Sequence, residues 1–169
     1  MNVVDIIAGT TVDGPGMRTA IYFAGCMHQC PGCHNPSTWS FDAGMTMTLN
    51  DIMEVIREND FDVTFTGGDP MYSADEILPL AREIKKAGYN IWLYTGFIFE
   101  DLVSNPPSAE LIKAVDVVVD GPFIQSLRDT SLSFRGSANQ RIIDVAASLR
   151  AGSAVIIDLD CHGLNIAGI

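Results

Sequence analysis

Three cysteines lie close together near the start of the chain, at a spacing that suits metal chemistry. Cys26, Cys30 and Cys33 are separated by four and three residues, and Pro31 and Gly32 help the chain turn back on itself. A loop of this kind can direct three thiolates towards one centre, and iron–sulfur clusters and zinc both bind thiolates. The local sequence therefore predicts a metal site of one of these two kinds.

The fourth ligand distinguishes the two kinds of site. A structural zinc site is closed by four protein ligands, and the remaining donors in the sequence are His28, His34, His162 and Cys161. An iron–sulfur cluster held by three cysteines instead leaves one iron open to a substrate. The cysteine loop alone does not choose between these possibilities. A disulfide scaffold is disfavoured, because three cysteines crowd into eight residues and the fourth is distant.

Polar or glycine-containing clusters also follow other apolar stretches of the chain. They occupy residues 66–70 (TGGDP), 94–96 (YTG) and 120–122 (DGP). In α/β sheets and barrels, functional groups collect where the carboxyl ends of parallel strands meet. Each cluster alone is typical of a turn, but together with the cysteine loop they outline one site.

The elements that would position this site alternate between strand-like and helix-like patterns. Apolar stretches predict strands at residues 3–7, 18–23, 61–65, 90–94, 115–119, 141–143 and 154–157. Helical spacing of apolar residues predicts one helix behind the N-cap Thr48, a second ending at Gly88, and a shorter one around Glu100. The alternation predicts an α/β fold with a mostly parallel sheet. Since a closed (β/α) barrel needs about 250 residues, this chain is expected to form a partial, open barrel as one domain over residues 1–169.

The composition narrows the possible partners and locations. Ten basic and 21 acidic residues give a net charge of −11, which disfavours nucleic acid and anionic membranes as partners. No apolar stretch is long enough to span a bilayer, and the N-terminal residues lack the pattern of a signal peptide. We therefore expect a cytoplasmic protein.

The ordered series of motifs resembles the radical S-adenosylmethionine enzymes, and among them the activases of the anaerobic ribonucleoside-triphosphate reductase. The resemblance rests on residues 13–16 (DGPG), 25–33 (GCMHQCPGC), 35–39 (NPSTW), 66–70 (TGGDP), 91–96 (IWLYTG), 119–121 (VDG) and 135–140 (RGSANQ). The chain departs from the family pattern at His34, where an aromatic residue is more frequent, at Pro122 in place of lysine, and at Asp13 in place of asparagine. Residues 142–169 have no counterpart in the pattern.

The resemblance implies a role for each motif. Cys26, Cys30 and Cys33 would ligate a [4Fe-4S] cluster whose open iron binds S-adenosyl-L-methionine, which is then cleaved to methionine and a 5′-deoxyadenosyl radical. The segment containing Gly67 and Gly68, with Asp69 close by, would bind the methionyl amino group. We further assign Thr95 and Asp120 to the cofactor pocket or a nearby cation, and Arg135 to a carboxylate or the partner protein.

The implied reaction removes a hydrogen atom from a glycine of the large subunit of the anaerobic ribonucleotide reductase. Its electron would come from a donor of flavodoxin or ferredoxin type. One alternative keeps the chemistry and changes the target to another glycyl radical enzyme, a peptide or a small molecule. Another is a non-catalytic zinc or iron–sulfur protein. Residues 135–140 and the Trp39 region favour the reductase activase.

Overall fold

The computed structural model describes residues 1–159, in which eight strands form a single open sheet. The strands are β1 (Asn2–Thr10), β2 (Arg18–Phe23), β3 (Met45–Thr46), β4 (Asp62–Gly67), β5 (Ile91–Tyr94), β6 (Val117–Asp120), β7 (Arg141–Asp144) and β8 (Val155–Ile156). Their order across the sheet is β3-β1-β2-β4-β5-β6-β7-β8. The predicted α/β fold with an unclosed sheet is confirmed, and all seven predicted strands are present. The sheet is mixed and not mostly parallel as predicted, because three of its seven strand pairings are parallel and four are antiparallel.

The four central strands are parallel, and the flanking strands are antiparallel. Strands β2, β4, β5 and β6 pair in parallel, whereas β1 and β3 on one side, and β7 and β8 on the other, pair antiparallel. Seven residues connect β1 to β2, which is too short for the crossover that a parallel pair needs. The carboxyl ends of the central strands consequently share one edge of the sheet.

Helices cover one face of the sheet. They are α1 (Leu49–Asn59), α2 (Ala74–Lys86), α3 (Phe99–Val103), α4 (Ser108–Lys113) and α5 (Val145–Ala151). Thr48 caps α1 as predicted, with its side chain accepting from the Asp51 backbone N–H and the Asp51 side chain accepting in return. Among the helices of residues 1–159, none is long and apolar enough to cross a membrane.

The opposite face of the sheet carries a second, smaller apolar cluster. Trp92, Val117, Val119 and Ile142 are buried there, and Tyr94, Phe134, Ile157 and Leu159 pack against them. Their strand neighbours, such as Leu93 and Val118, belong to the core beneath the helices, since successive strand residues point to opposite faces. This cluster is the inner face of the partial barrel, and Trp92 packs within it.

A buried arginine fastens the loop between β1 and β2 over this inner face. Arg18 is 1% exposed; its Nε donates to Thr64 Oγ1 at 2.8 Å and its Nη2 to the Val63 carbonyl at 2.6 Å. The Thr64 hydroxyl in turn donates to the Asp13 carbonyl at 2.8 Å. Gly14 lies so close to Arg18 that a Cβ atom would be 2.7 Å from the arginine Cδ. The loop therefore folds back into the barrel, where Asp13 reaches the cavity described next.

Candidate active site

A cavity of about 420 Å³ lies at the carboxyl ends of the central strands. The sequence-predicted residues that line it are Cys26, Cys30, Cys33, Gly67, Gly68, Asp69, Thr95 and Arg135. The strand-end clusters thus meet at one site, as their positions predict. A larger hollow of about 690 Å³ lies between α2, α4 and α5, but its lysines and Arg82 already pair with carboxylates.

The cysteine loop begins immediately after β2 and is held by backbone hydrogen bonds. The Gly25 and Cys26 N–H groups donate to the Thr38 and Trp39 carbonyls at 2.8 and 3.0 Å, and the Cys33 N–H closes a turn onto the Cys30 carbonyl. All three cysteines are free and half-buried. Burial raises the pKa of the Cys26 thiol, and backbone hydrogen bonds offset part of that rise. Because ligation requires the thiolate, metal binding would release a proton here.

The donor set fits an iron–sulfur cluster better than a single zinc ion. Within residues 1–159, no three His, Cys, Asp or Glu side chains converge as they would around one ion. Zinc requires such convergence, whereas the cysteines of a [4Fe-4S] cluster each bind a different iron and stand further apart. Of the candidate fourth ligands, His28 contacts Asp69 through its Nε2, and His34 lies beside Phe123 at the cavity. Cys161 and His162 lie outside the described residues.

Gly67 and Gly68 bring the segment after β4 against the start of the cysteine loop. A Cβ atom on Gly67 would lie 2.5 Å from the Phe23 nitrogen, and one on Gly68 would lie 2.4 Å from the Gly25 carbonyl oxygen. Gly67 also adopts φ 102°, which disfavours other residues. Both glycines are thus required for backbone packing, and both also expose backbone to the cavity.

The Asp69 side chain joins three segments of the site. Its Oδ2 accepts from the Thr95 hydroxyl at 3.0 Å and the Gly96 N–H at 2.9 Å, and lies 2.9 Å from His28 Nε2. Its Oδ1 accepts from the Met71 N–H at 3.0 Å. Asp69 and Thr95 therefore lie at the cavity as predicted, but both are engaged with protein groups.

Asp120 is the predicted site residue that the structure places away from the cavity. It is fully buried, it is not among the cavity-lining residues, and its carboxylate accepts from Arg141 and from the Phe99 N–H. The neighbouring Gly121 lines the cavity instead. The physical reason is that Arg141 enters directly opposite Asp120 on the antiparallel strand β7, which the sequence did not reveal.

Three aromatic residues of the cavity wall, Tyr94, Phe123 and Phe134, were not assigned as site residues, although Tyr94 begins the predicted cluster 94–96. Tyr94 and Phe134 both line the cavity, and the Tyr94 hydroxyl donates to the Phe134 carbonyl at 2.9 Å. Burial raises the pKa of Tyr94 well above its usual range, so its hydroxyl stays protonated. The alternation along β5 could have identified Tyr94, because Trp92 and Tyr94 must share a face. No sequence signal identifies Phe134.

Residues 135–140 form a compact turn beside this wall. Gln140 Oε1 accepts from the Gly136 and Ser137 N–H groups at 2.9 and 3.1 Å, and Gln140 Nε2 donates to the Gly121 carbonyl at 3.1 Å. Asn139 donates to the Pro122 carbonyl at 2.8 Å. These bonds fix the turn over the end of β6 and place Arg135 at the cavity.

The fold and the cysteine loop define an α/β protein of the iron–sulfur class. A family profile described as a 4Fe-4S single cluster domain matches residues 12–143. The chain is 36% identical over 140 residues to the anaerobic ribonucleoside-triphosphate reductase-activating protein of Escherichia coli K12, covering 76% of this chain and 89% of that protein. It is 37% identical over 150 residues to the protein of that name from phage T4, covering 84% and 93%. The protein of that name from Vibrio cholerae is 38% identical over 141 residues, covering 78% and 90%.

The chain therefore belongs to the family of anaerobic ribonucleoside-triphosphate reductase-activating proteins. Among solved structures, QueE from Escherichia coli aligns with a TM-score of 0.46 and 20% identity, covering 56% of this chain and 51% of that one. A likeness of that size adds nothing to the family assignment.

Proposed function

We propose that this protein is a radical S-adenosylmethionine activase that generates a glycyl radical on the anaerobic ribonucleotide reductase. The observation that carries the proposal is the meeting of three free thiols and the Gly67–Gly68 segment in one cavity. The loop that can ligate a cluster lies beside a segment whose backbone is accessible from the cavity. This arrangement suits a cofactor that contacts both the cluster and the backbone. Family membership supplies the reductase as the target.

Cys26, Cys30 and Cys33 would hold a [4Fe-4S] cluster. When bound, this cluster supplies the electron that cleaves S-adenosyl-L-methionine to methionine and a 5′-deoxyadenosyl radical. The residues of this chain would ligate the cluster, orient S-adenosyl-L-methionine and exclude water. Gly67 and Gly68 expose backbone for the methionyl end of the cofactor, and Arg135 at the cavity wall suits a carboxylate.

The aromatic side of the cavity would limit contact between the reacting groups and water. Tyr94 and Phe134 present ring surface to the cavity, and each packs against the inner apolar cluster of the sheet. A radical that attacks C–H bonds requires such shielding, because side reactions must be suppressed. Thr95 contributes by holding Asp69 in place, through its hydroxyl donation at 3.0 Å.

The partner is proposed to be the large subunit of the anaerobic ribonucleotide reductase, offering its glycine on a polypeptide segment. The sheet is open, so a segment of another protein can enter at the carboxyl edge. We propose a flavodoxin- or ferredoxin-type electron donor, because cluster reduction needs a single-electron carrier. We also propose a cytoplasmic location, since free thiols that ligate a cluster persist in a reducing compartment.

Anaerobic incubation tests this function. The protein, reconstituted with iron and sulfide, is mixed with a candidate reductase large subunit, S-adenosyl-L-methionine and a reductant. We expect 5′-deoxyadenosine together with a glycyl radical signal in electron paramagnetic resonance. A Cys30→Ala variant should give neither. If 5′-deoxyadenosine forms without the glycyl signal, the radical chemistry stands and the reductase target is wrong. If neither forms with a reconstituted cluster, the proposed chemistry is wrong.

A further inference from the structure

We propose that His28 and Asp69 are a positioning pair that fixes the cysteine loop against the glycine motif. The Asp69 carboxylate would then hold the loop in register and not itself bind the ligand's ammonium group. The inference rests on the proposed function for the identity of the ligand, but the pair itself is a property of the apoprotein. It adds a positioning role for a residue inside the cysteine motif.

The Asp69 carboxylate is already saturated by protein donors. It is 2% exposed, its Oδ2 is contacted by His28, Thr95 and Gly96, and its Oδ1 accepts from Met71. A carboxylate buried to this degree needs such donors to offset its lost hydration. A ligand ammonium at Oδ2 would have to displace one of the three groups already there.

The His28 ring lies in a closely fitting slot. Phe97 packs edge-on against it with ring centroids 4.6 Å apart, and Tyr72 lies on another side at 5.6 Å. Gly96 forms the floor, because a Cβ atom there would lie 2.7 Å from the ring Nε2 and Cδ2. Two separate segments, one containing Tyr72 and the other Gly96 and Phe97, therefore hold the ring in place.

The pair joins two segments that must keep a fixed distance if one ligand touches both. His28 lies between Cys26 and Cys30, and Asp69 follows Gly68 directly. The Asp69 N–H also donates to the Gly25 carbonyl at 2.9 Å, so backbone and side chain of Asp69 both contact the loop. Weakening the side-chain link should allow the loop to shift, while the three thiols remain available to iron.

Glutamine and leucine at position 28 separate the hydrogen bond from the shape of the side chain. The glutamine amide nitrogen can take the place of histidine Nε2 and donate to Asp69, whereas leucine fills the slot without a donor. Met27→Ala is the matched control, since Met27 is in the same loop, is 65% exposed and does not line the cavity. If His28→Leu does not fold, His28→Asn replaces it, because its amide is too short to reach Asp69.

Hydrogen–deuterium exchange of the apoprotein tests the pair without any cofactor. We expect peptides covering residues 26–33 to exchange about tenfold faster in His28→Leu than in the wild type. In His28→Gln and in Met27→Ala the same peptides should exchange at the wild-type rate. An unchanged exchange rate in His28→Leu overturns the positioning role, whatever the enzyme proves to do.

Equilibrium binding then tests the link to the ligand. After reconstitution, His28→Leu should keep the iron content of the wild type but bind S-adenosyl-L-methionine about tenfold more weakly, with His28→Gln restoring affinity. Faster exchange with unchanged affinity would overturn the link between the pair and the ligand site. A loss of iron in His28→Leu would make the pair a requirement for cluster assembly and overturn the proposal in this form.

Discussion

Arg141 lies directly opposite Asp120 on neighbouring antiparallel strands, and its guanidinium covers the buried carboxylate of that residue. Nε donates to Oδ1 at 3.0 Å, Nη2 contacts Oδ2, and Nη1 and Nη2 also bind Glu100 at 3.1 and 2.7 Å. Asp120 is fully buried, whereas the Arg141 side chain is 29% exposed. One guanidinium thus joins β6, β7 and α3 just outside the cavity.

Removing the guanidinium should destabilise the fold. We expect Arg141→Met to lower the free energy of unfolding by about 2 kcal/mol, because it leaves the Asp120 charge buried with the Phe99 N–H as its remaining donor. Chemical denaturation measures the change. Lys113→Met, which breaks an exposed pair with Glu110, is the control and should leave the free energy of unfolding close to the wild-type value. Equal losses of unfolding free energy in the two variants would contradict the stabilising role assigned to Arg141.

The Glu100 carboxylate gives this network a dependence on pH. Hydrogen bonding to Arg141 holds the pKa of Glu100 below its ordinary value of 4.5. Its contribution to stability is therefore complete above that value and is lost as the pH falls through the lower pKa of the folded state. In thermal unfolding, the melting temperature of the wild type should exceed that of Glu100→Gln near neutral pH, and the two melting temperatures should converge in acid. A difference that stays constant at all pH values would contradict this role of Glu100.

Each cysteine of the loop should be necessary for the cluster. Replacing Cys26, Cys30 or Cys33 singly with alanine should abolish both the visible iron–sulfur absorbance after reconstitution and the formation of 5′-deoxyadenosine. Cys161→Ala is the control and should retain both. A loss in the Cys161 variant equal to that in the loop variants would show that the ligand set is larger than the loop.

Gly68 should tolerate no side chain, for reasons of backbone packing. The added Cβ of Gly68→Ala would lie 2.4 Å from the Gly25 carbonyl oxygen, so the start of the cysteine loop must move. We expect a loss of about 2 kcal/mol in unfolding free energy together with reduced iron content. Gly152→Ala is the control: its Cβ meets no atom within 4 Å, although its φ of 70° is strained, so a cost of about 1 kcal/mol with normal iron content is expected. Normal iron binding by Gly68→Ala would contradict the proposed packing.

The sequence predicted the site where the signal is local. The spacing of Cys26, Cys30 and Cys33, and the glycines after β4, are patterns within a few residues, and strand periodicity indicated the elements that carry them. The shared edge of the parallel strands then brought those patterns together. This reasoning needs only the order of elements along the chain.

The contacts that hold the site together could not be predicted, because they join residues far apart in sequence. Asp69 meets His28 across 41 positions, and Arg141 meets Asp120 across 21. An aspartate at a strand end can be a ligand, a helix cap or one half of an ion pair. For Asp120 the antiparallel direction of β7 selects the ion pair, because it places Arg141 opposite the carboxylate. Arg18 is a further example, because an arginine at the start of a strand is ordinarily expected to be exposed, whereas Arg18 is buried.

Ile157 and Leu159 follow residue 143, where the family match ends, yet they pack on the apolar cluster around Trp92. Tyr94 and Phe134 belong to that cluster and also form the cavity wall. Removing Ile157 and Leu159 would uncover apolar surface of this cluster. The integrity of the cavity wall therefore depends on residues beyond the part of the chain that the family profile matches.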